Sequence, residues 1–330
     1  MKTFITGATG FIGTHLIRQL AKADHELYCL VRNTSDVRVL REMSATLIIG
    51  DVVDKESVLR GMNGCDLVIH LASSFVFWHS NQHTFSNVNI KGTRNVMESA
   101  LEVGASKVVS VSTAGVWGNA DWPITEETPF GTERASEYVR TKFEGDLLTW
   151  QLYEQKALPL VMIYPSAVLG PRDPNAAGRY VKNFALGQMP VQVLTDVPFP
   201  WVHVKDVCNA ILMALEKESN VGERYIVSSE NLTFGEFNQM ISEISGTNLP
   251  IIKLPGWITL LSAYFLTGLA NLTKRPPLWD MSVDQIKLMR LGGKLGGRKA
   301  EIELGIAYIP IRKALEEVIA SFQDAGSSMN

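Results

Sequence analysis

The sequence predicts an α/β chain built on a doubly wound parallel sheet, with a smaller cap towards its C-terminal end. Three observations carry that reading. Residues 2–13 run KTFITGATGFIG, an apolar strand that breaks into a turn at Gly7, Gly10 and Gly13 and resumes as a helix. Strand-like and helix-like stretches then alternate six times up to about residue 165, the pattern of a parallel sheet covered on both faces by crossover helices. From about Ser166 the alternation dissolves into Pro- and Gly-punctuated sequence and then mainly helical sequence. We therefore expect residues 1–165 to form one domain, joined by elements returning near 201–228, and residues 166–330 to form mainly the cap.

Composition supports an ordered chain of this size. At 330 residues it exceeds what one core usually holds, and 46% hydrophobic with 20% charged residues supplies apolar material for full order. A net charge of -3 leaves no basic footprint for nucleic acid. Cys29, Cys65 and Cys208 are odd in number and widely spaced, which suggests neither a disulfide framework nor a metal site. Met1 leads straight into the first strand with no room for a cleavable signal peptide, so the expected location is cytoplasmic.

Taken in order, the first strand holds Phe4 and Ile5. The glycines after it have separate tasks: Gly7 permits the backbone reversal, Gly10 admits a pyrophosphate without a Cβ in the way, and Gly13 lets the helix lie close on the strand. The helix N-terminus then offers free N–H groups to phosphate, which marks a Rossmann-type dinucleotide site lined also by Thr9, Phe11 and Ile12. The second strand, 25–31, ends on Val31-Arg32 where an acidic residue would signal NAD. Arg32, with Arg38 nearby, suits a 2′-phosphate and favours NADP(H), unless both are simply solvated charges.

The third strand, 45–50, delivers Asp51 and Val52 to the ligand edge, where Asp51 either reaches the adenine or caps the next helix. The fourth, 66–70, delivers Leu71, Ala72 and Ser73. The loop beyond, from Ser74, carries Phe75, Phe77 and Trp78, read either as a pocket wall or as a local hydrophobic cluster. A helix is expected over 84–103, with Asn89 inside it, and a fifth strand over 107–112 ending on Ser112-Thr113. A long helix over about 132–155 contains Tyr138 and Lys142, and a sixth strand, 158–164, closes on Pro165-Ser166. Further helices are expected at 175–186, 205–216 and 311–322, with a strand at 223–228.

Tyr138 and Lys142 stand four residues apart and so share one helix face. A phenol of pKa near 10 is a poor acid or base at neutral pH, and a neighbouring cation lowers that value by stabilising the phenolate. Such a pair exchanges a proton with a carbonyl or alcohol oxygen as hydride moves, and Thr113 is placed to hydrogen-bond the same oxygen.

TGATGFIG (6–13), HLAS (70–73), NIKGTRNV (89–96), SVSTAGVWG (110–118), YVRTK (138–142), YPSAVLGP (164–171) and WVHVKDV (201–207) stand in order. With them the chain resembles an extended short-chain dehydrogenase/reductase of the NAD-dependent epimerase/dehydratase family, in its dihydroflavonol-reductase-like branch. The resemblance implies a catalytic set of Thr113, Tyr138 and Lys142 supported by Asn89, with Lys142 also on the nicotinamide ribose and Pro165 and Ser166 against the nicotinamide. The substrate side is expected at Ser74, Phe75, Trp78, Gly115, Trp117, Val168 and Arg179. Thr113 replaces the family's more usual Ser, and Trp117 its usual Tyr, a bulkier pocket that argues against a nucleotide-sugar epimerase.

The charge-free run 254–273 contains Pro255 and several polar residues, so it is expected to be a lid helix or a shallow membrane-surface contact rather than a span. The resulting expectation is an NADPH-dependent oxidoreductase acting on a ketone or aldehyde of a fairly hydrophobic small molecule. The alternatives are a sugar epimerase or dehydratase and a non-catalytic NAD(P)-sensing protein. The oligomeric state stays open, a homodimer among the options.

Overall fold

The computed structural model describes residues 1–327. Its main sheet grows from short, apolar strands: β1 (Lys2–Thr6), β2 (Glu26–Val31), β3 (Thr46–Ile49), β4 (Leu67–His70), β5 (Lys107–Val111) and β6 (Leu160–Pro165). Strands buried on both faces read as continuous hydrophobic runs, and β4, β5 and β6 have no exposed residue. Between them run α1 (Phe11–Leu20), α2 (Arg38–Glu42), α3 (Lys55–Met62), α4 (His83–Ser86), α5 (Thr93–Val103) and α6 (Glu137–Lys156). The chain continues through β7 (Ala167–Leu169), α7 (Ala176–Ala185), β8 (Gln192–Val193), β9 (Pro198–His203), α8 (Val204–Glu216), β10 (Arg224–Val227) and β11 (Glu230–Thr233). It ends with α9 (Phe234–Ser245), β12 (Lys253–Leu254), α10 (Gly256–Thr273), α11 (Val283–Leu291), α12 (Arg298–Leu304) and α13 (Ile311–Ser327).

The seven-stranded sheet has the order β10-β6-β5-β4-β1-β2-β3 and is parallel throughout. Strand order reverses at β1, which lies between β4 and β2, so the crevice outside the carboxyl ends of β1 and β4 is the place where open α/β sheets bind ligands. One helical layer buries Leu16, Ile17, Leu20, Val207 and Ile211, and the other buries Val58, Met62, Val96, Met97 and Leu152. α12 joins the first layer through Ala300 and Leu304, although its position in the chain lies within the C-terminal third. A third core gathers Phe184, Trp201, Phe237, Ile286 and Leu315, with the rings of Trp201 and Phe237 stacked at 4.1 Å.

Two helices differ from expectation. The long helix begins at Glu137 rather than near residue 132, because Ser136 caps it by accepting from the Val139 N–H. The 84–103 stretch is helical but takes π geometry over Asn87–Gly92, and α6 presses on this segment where Gly145 leaves room for the Asn89 carbonyl.

Candidate active site

The turn after β1 is shaped by glycine. Gly7 has φ +75°, and a Cβ there would stand 2.6 Å from the Ala72 backbone nitrogen. Two loops from the diverging strands thus touch at the crevice. Gly10 precedes α1 and donates to the Gly7 carbonyl at 3.0 Å. As N-cap it has no side chain to satisfy the first-turn N–H groups, and no acidic residue stands in that turn. Gly7, Gly10, Phe11, Ile12 and Gly13 face a cavity of about 410 Å³ that Leu71, Ser73, Pro165 and Ser166 also line. The Ser166 hydroxyl is buried there without a hydrogen-bond partner among the described residues. A backbone cradle that any side chain would fill, an open helix N-terminus and an orphaned hydroxyl fit a dinucleotide.

The outer cofactor candidates lie apart from this cavity. Arg32 stands exposed just past β2, its backbone N–H donating to Ser35 Oγ, and it has no ion pair among the described residues. Arg38 is held by Asp36 at 2.5 Å. Of the two readings of Asp51, capping does not occur: Asp54 caps α3 by accepting from the Glu56 N–H, while Asp51 accepts from the Val53 N–H. Val52 is buried against Gly92, and its carbonyl accepts from Asn95 Nδ2 at 2.8 Å.

The chemistry-bearing side chains meet where β4, β5 and α6 converge. Tyr138 is buried, with its hydroxyl set against those of Ser73 and Thr113. Thr113 Oγ1 also accepts from the Gly115 N–H at 3.3 Å. Burial raises the phenol's pKa above its usual value, with the two hydroxyl contacts opposing. The expected lowering by a neighbouring cation is not seen. Lys142 is fully enclosed, its ammonium donates to the Val111 carbonyl at 2.9 Å, and desolvation pulls its pKa down while Asp146 opposes. Asn89 bridges the loop and the helix: Oδ1 accepts from the Ser74 N–H at 2.8 Å, and Nδ2 donates to Thr141 Oγ1 at 3.0 Å.

Asp146 was missed by the sequence reading. It sits one turn beyond Lys142, accepts from Ser112 Oγ at 2.6 Å and contacts the Tyr164 hydroxyl. Burial pushes its carboxyl up to about 7, with Lys142 the chief opposing influence. The available signal was an acid four residues after a lysine on a helix face that must be buried.

Of the substrate-side candidates, Phe75, Gly115 and Val168 line the cavity. The rings of Phe75 and Phe77 meet Tyr138 edge-on at 5.0 and 6.2 Å, so the aromatic loop is pocket wall and hydrophobic cluster together. The other four are placed elsewhere. Ser74 is engaged through its backbone by Asn89. Trp78 turns outward and donates Nε1–H to Asn271 Oδ1 at 2.8 Å. Trp117 is fully buried beneath the site because the 3₁₀ turn Ala114–Trp117 points it inward, onto Tyr164 and Phe130, with Nε1–H donated to the Thr128 carbonyl. Arg179 faces out to Asp280 at 2.6 Å, while the next residue, Tyr180, lines the cavity, about 100° round the helix. Phe199, Trp201, Leu288 and Met289 complete the wall. Trp201 opens the WVHVKDV stretch, whereas Leu288 and Met289 stand in no quoted motif.

The family model for the NAD dependent epimerase/dehydratase family matches residues 3–228. The chain is 28% identical to sterol demethylase protein B of Methylococcus capsulatus over 99% of both chains. It is also 28% identical to a putative dihydroflavonol 4-reductase of Synechocystis, covering 98% of this chain and 95% of that one. The solved structure of gox2253 superposes with a TM-score of 0.84 at 32% identity over 98% of each chain.

Proposed function

The chain belongs to the NAD-dependent epimerase/dehydratase family, and on that premise we propose that this NAD(P)-dependent oxidoreductase is an NADPH-dependent reductase of ketones or aldehydes carried on hydrophobic molecules. One observation carries the reading. A neutral, buried phenol, Tyr138, stands between two hydroxyls in a cavity that is glycine turn on one side and apolar wall on the other.

When bound, a reduced nicotinamide supplies hydride to the carbonyl carbon. The residues of the chain handle the oxygen. Tyr138 gives its proton to the carbonyl oxygen, and the Ser73 and Thr113 hydroxyls, already on the phenol, donate to the phenolate left behind. Burial that keeps Tyr138 protonated favours this donor role. Lys142 stands one turn away with Asp146 beneath it, and as an ammonium it would pass a proton back to the phenolate, taking one up again from solvent once product leaves. Asn89 fixes the loop that carries Ser74 against α6.

Arg32, exposed and without an ion pair among the described residues, favours NADPH through a charge-assisted contact with a 2′-phosphate. The apolar wall of Phe75, Phe77, Val168, Phe199, Leu288 and Met289 suits rings or lipid-like chains, and relatives named for sterol and flavonoid chemistry agree. A screen of hydrophobic ketones and aldehydes should consume NADPH in proportion to alcohol formed. An epimerised sugar, with cofactor retained and no net change at the nicotinamide absorbance band, would replace the reductase reading with the epimerase one.

A further inference from the structure

Helix α10 leaves a broad apolar face uncovered. Trp257, Leu261, Tyr264, Phe265, Leu269 and Leu272 are 47% to 81% exposed. Their steps of four, three, one, four and three residues put them on one face of the helix. The opposite face is narrow and small: Thr259, Ala263 and Ala270 are buried, and α10 lies on α11. Ile251, 98% exposed, and Ile252 extend the apolar surface before the helix.

Charge around this face is one-sided. No Asp or Glu occurs between Glu243 and Asp280, whereas Lys253 precedes the helix and Lys274 and Arg275 follow it. That cationic bracket sits in a chain whose net charge is -3. No helix among the described residues is long and apolar enough to cross a membrane. An apolar stripe with Trp and Tyr on it and cations at both ends is the arrangement that lies in a lipid interface. A second copy fits worse. Two such faces packed about a twofold axis bring Lys253, Lys274 and Arg275 against like charges, with no carboxylate in the segment to pair them.

We propose that the α10 face seats on an anionic lipid bilayer. The helix also braces the elements that wall the site. Asn271 holds Trp78 of the aromatic loop, Thr267 Oγ1 accepts from the Val283 N–H at the start of α11, and Ser282 Oγ donates to the Phe77 carbonyl. α11 in turn presents Leu288 and Met289 to the cavity. Seating α10 therefore brings the cavity wall to the bilayer surface, where hydrophobic molecules concentrate.

Neither cofactor nor turnover is needed to test the contact, so its outcome is independent of the reductase reading. The full chain is floated with vesicles of phosphatidylcholine and phosphatidylglycerol in equal parts, and with vesicles of phosphatidylcholine alone. We expect association with the anionic vesicles, weakening as salt is added. The triple variant L261S/F265S/L272S should bind roughly tenfold more weakly or worse. These side chains are exposed, so its unfolding midpoint should match the parent. Replacing Lys253, Lys274 and Arg275 by Gln should abolish the preference for anionic lipid. Absence of vesicle binding at low salt, or equal binding by the triple variant, overturns the proposal. So does a dimer in sedimentation velocity that the triple variant dissolves, which assigns the face to a second copy.

Discussion

Gly13→Ala adds one methyl group at the closest contact between α1 and the turn before it. That Cβ would stand 2.3 Å from the Gly7 carbonyl oxygen and 2.7 Å from the Ala8 Cα and carbonyl carbon, all backbone atoms. Reaching ordinary contact at 3.4 Å needs a separation of about 1 Å between helix and turn. The helix has nowhere to go, since Leu16, Ile17 and Leu20 are fully buried beneath it. Overpacking of this kind costs about 1–3 kcal/mol, and the better helix propensity of Ala returns about 1 kcal/mol. We expect a net loss of up to about 2 kcal/mol in urea unfolding. Dinucleotide affinity should fall about tenfold to a hundredfold in a fluorescence titration, because the displaced atoms are the phosphate cradle. Gly104→Ala is the control: its φ is +70° and nothing lies within 4 Å of the added Cβ. It should lose about 1 kcal/mol to left-handed strain and leave affinity unchanged. If Gly13→Ala binds NADPH as tightly as the parent, close helix packing is not what shapes the cradle.

Three other outcomes are expected. Tyr138→Phe should retain cofactor binding and lose about 10²–10⁴ in kcat, and a near-normal rate on a genuine substrate would remove Tyr138 from the acid role. Arg32→Ala should weaken NADPH binding by roughly 1.5–3 kcal/mol with NADH unaffected, so parallel titrations that shift both cofactors alike refute the 2′-phosphate contact. His70 is fully buried, shares hydrogen bonds with the hydroxyls of Thr6 at 2.7 Å and Thr93 at 3.1 Å, and burial lowers its pKa to about 3. Between about pH 6.5 and that value the unfolded chain takes up a proton the native state refuses, so stability falls with pH by about 1.4 kcal/mol per unit and is fully present above the window. Urea unfolding from about pH 6.5 to about pH 5 should show a shallower dependence for His70→Gln, and identical slopes would contradict this.

What the sequence determined alone is whatever local periodicity and local backbone need encode. The glycine turn is legible because only glycine permits the Gly7 backbone and the 2.3 Å approach at Gly13. The strand and helix alternation is legible because buried parallel strands are continuous apolar runs, and the Tyr138–Lys142 spacing because four residues return to the same helix face. Tertiary structure decided which way side chains point and what surrounds them. Arg179 and Tyr180 are neighbours in sequence, yet packing of α7 sends one to Asp280 and the other to the cavity. Trp117 was read as pocket and lies in the core, because a 3₁₀ turn rotates it inward. The phenol of Tyr138 is raised rather than lowered, and Asp146 is held beneath Lys142, because desolvation is set by everything that encloses a group. The far wall of Phe199, Trp201, Leu288 and Met289 is assembled from chain positions distant from the glycine turn. Contacts at such separation follow from the summed burial of a whole core, and no short stretch of residues contains that sum.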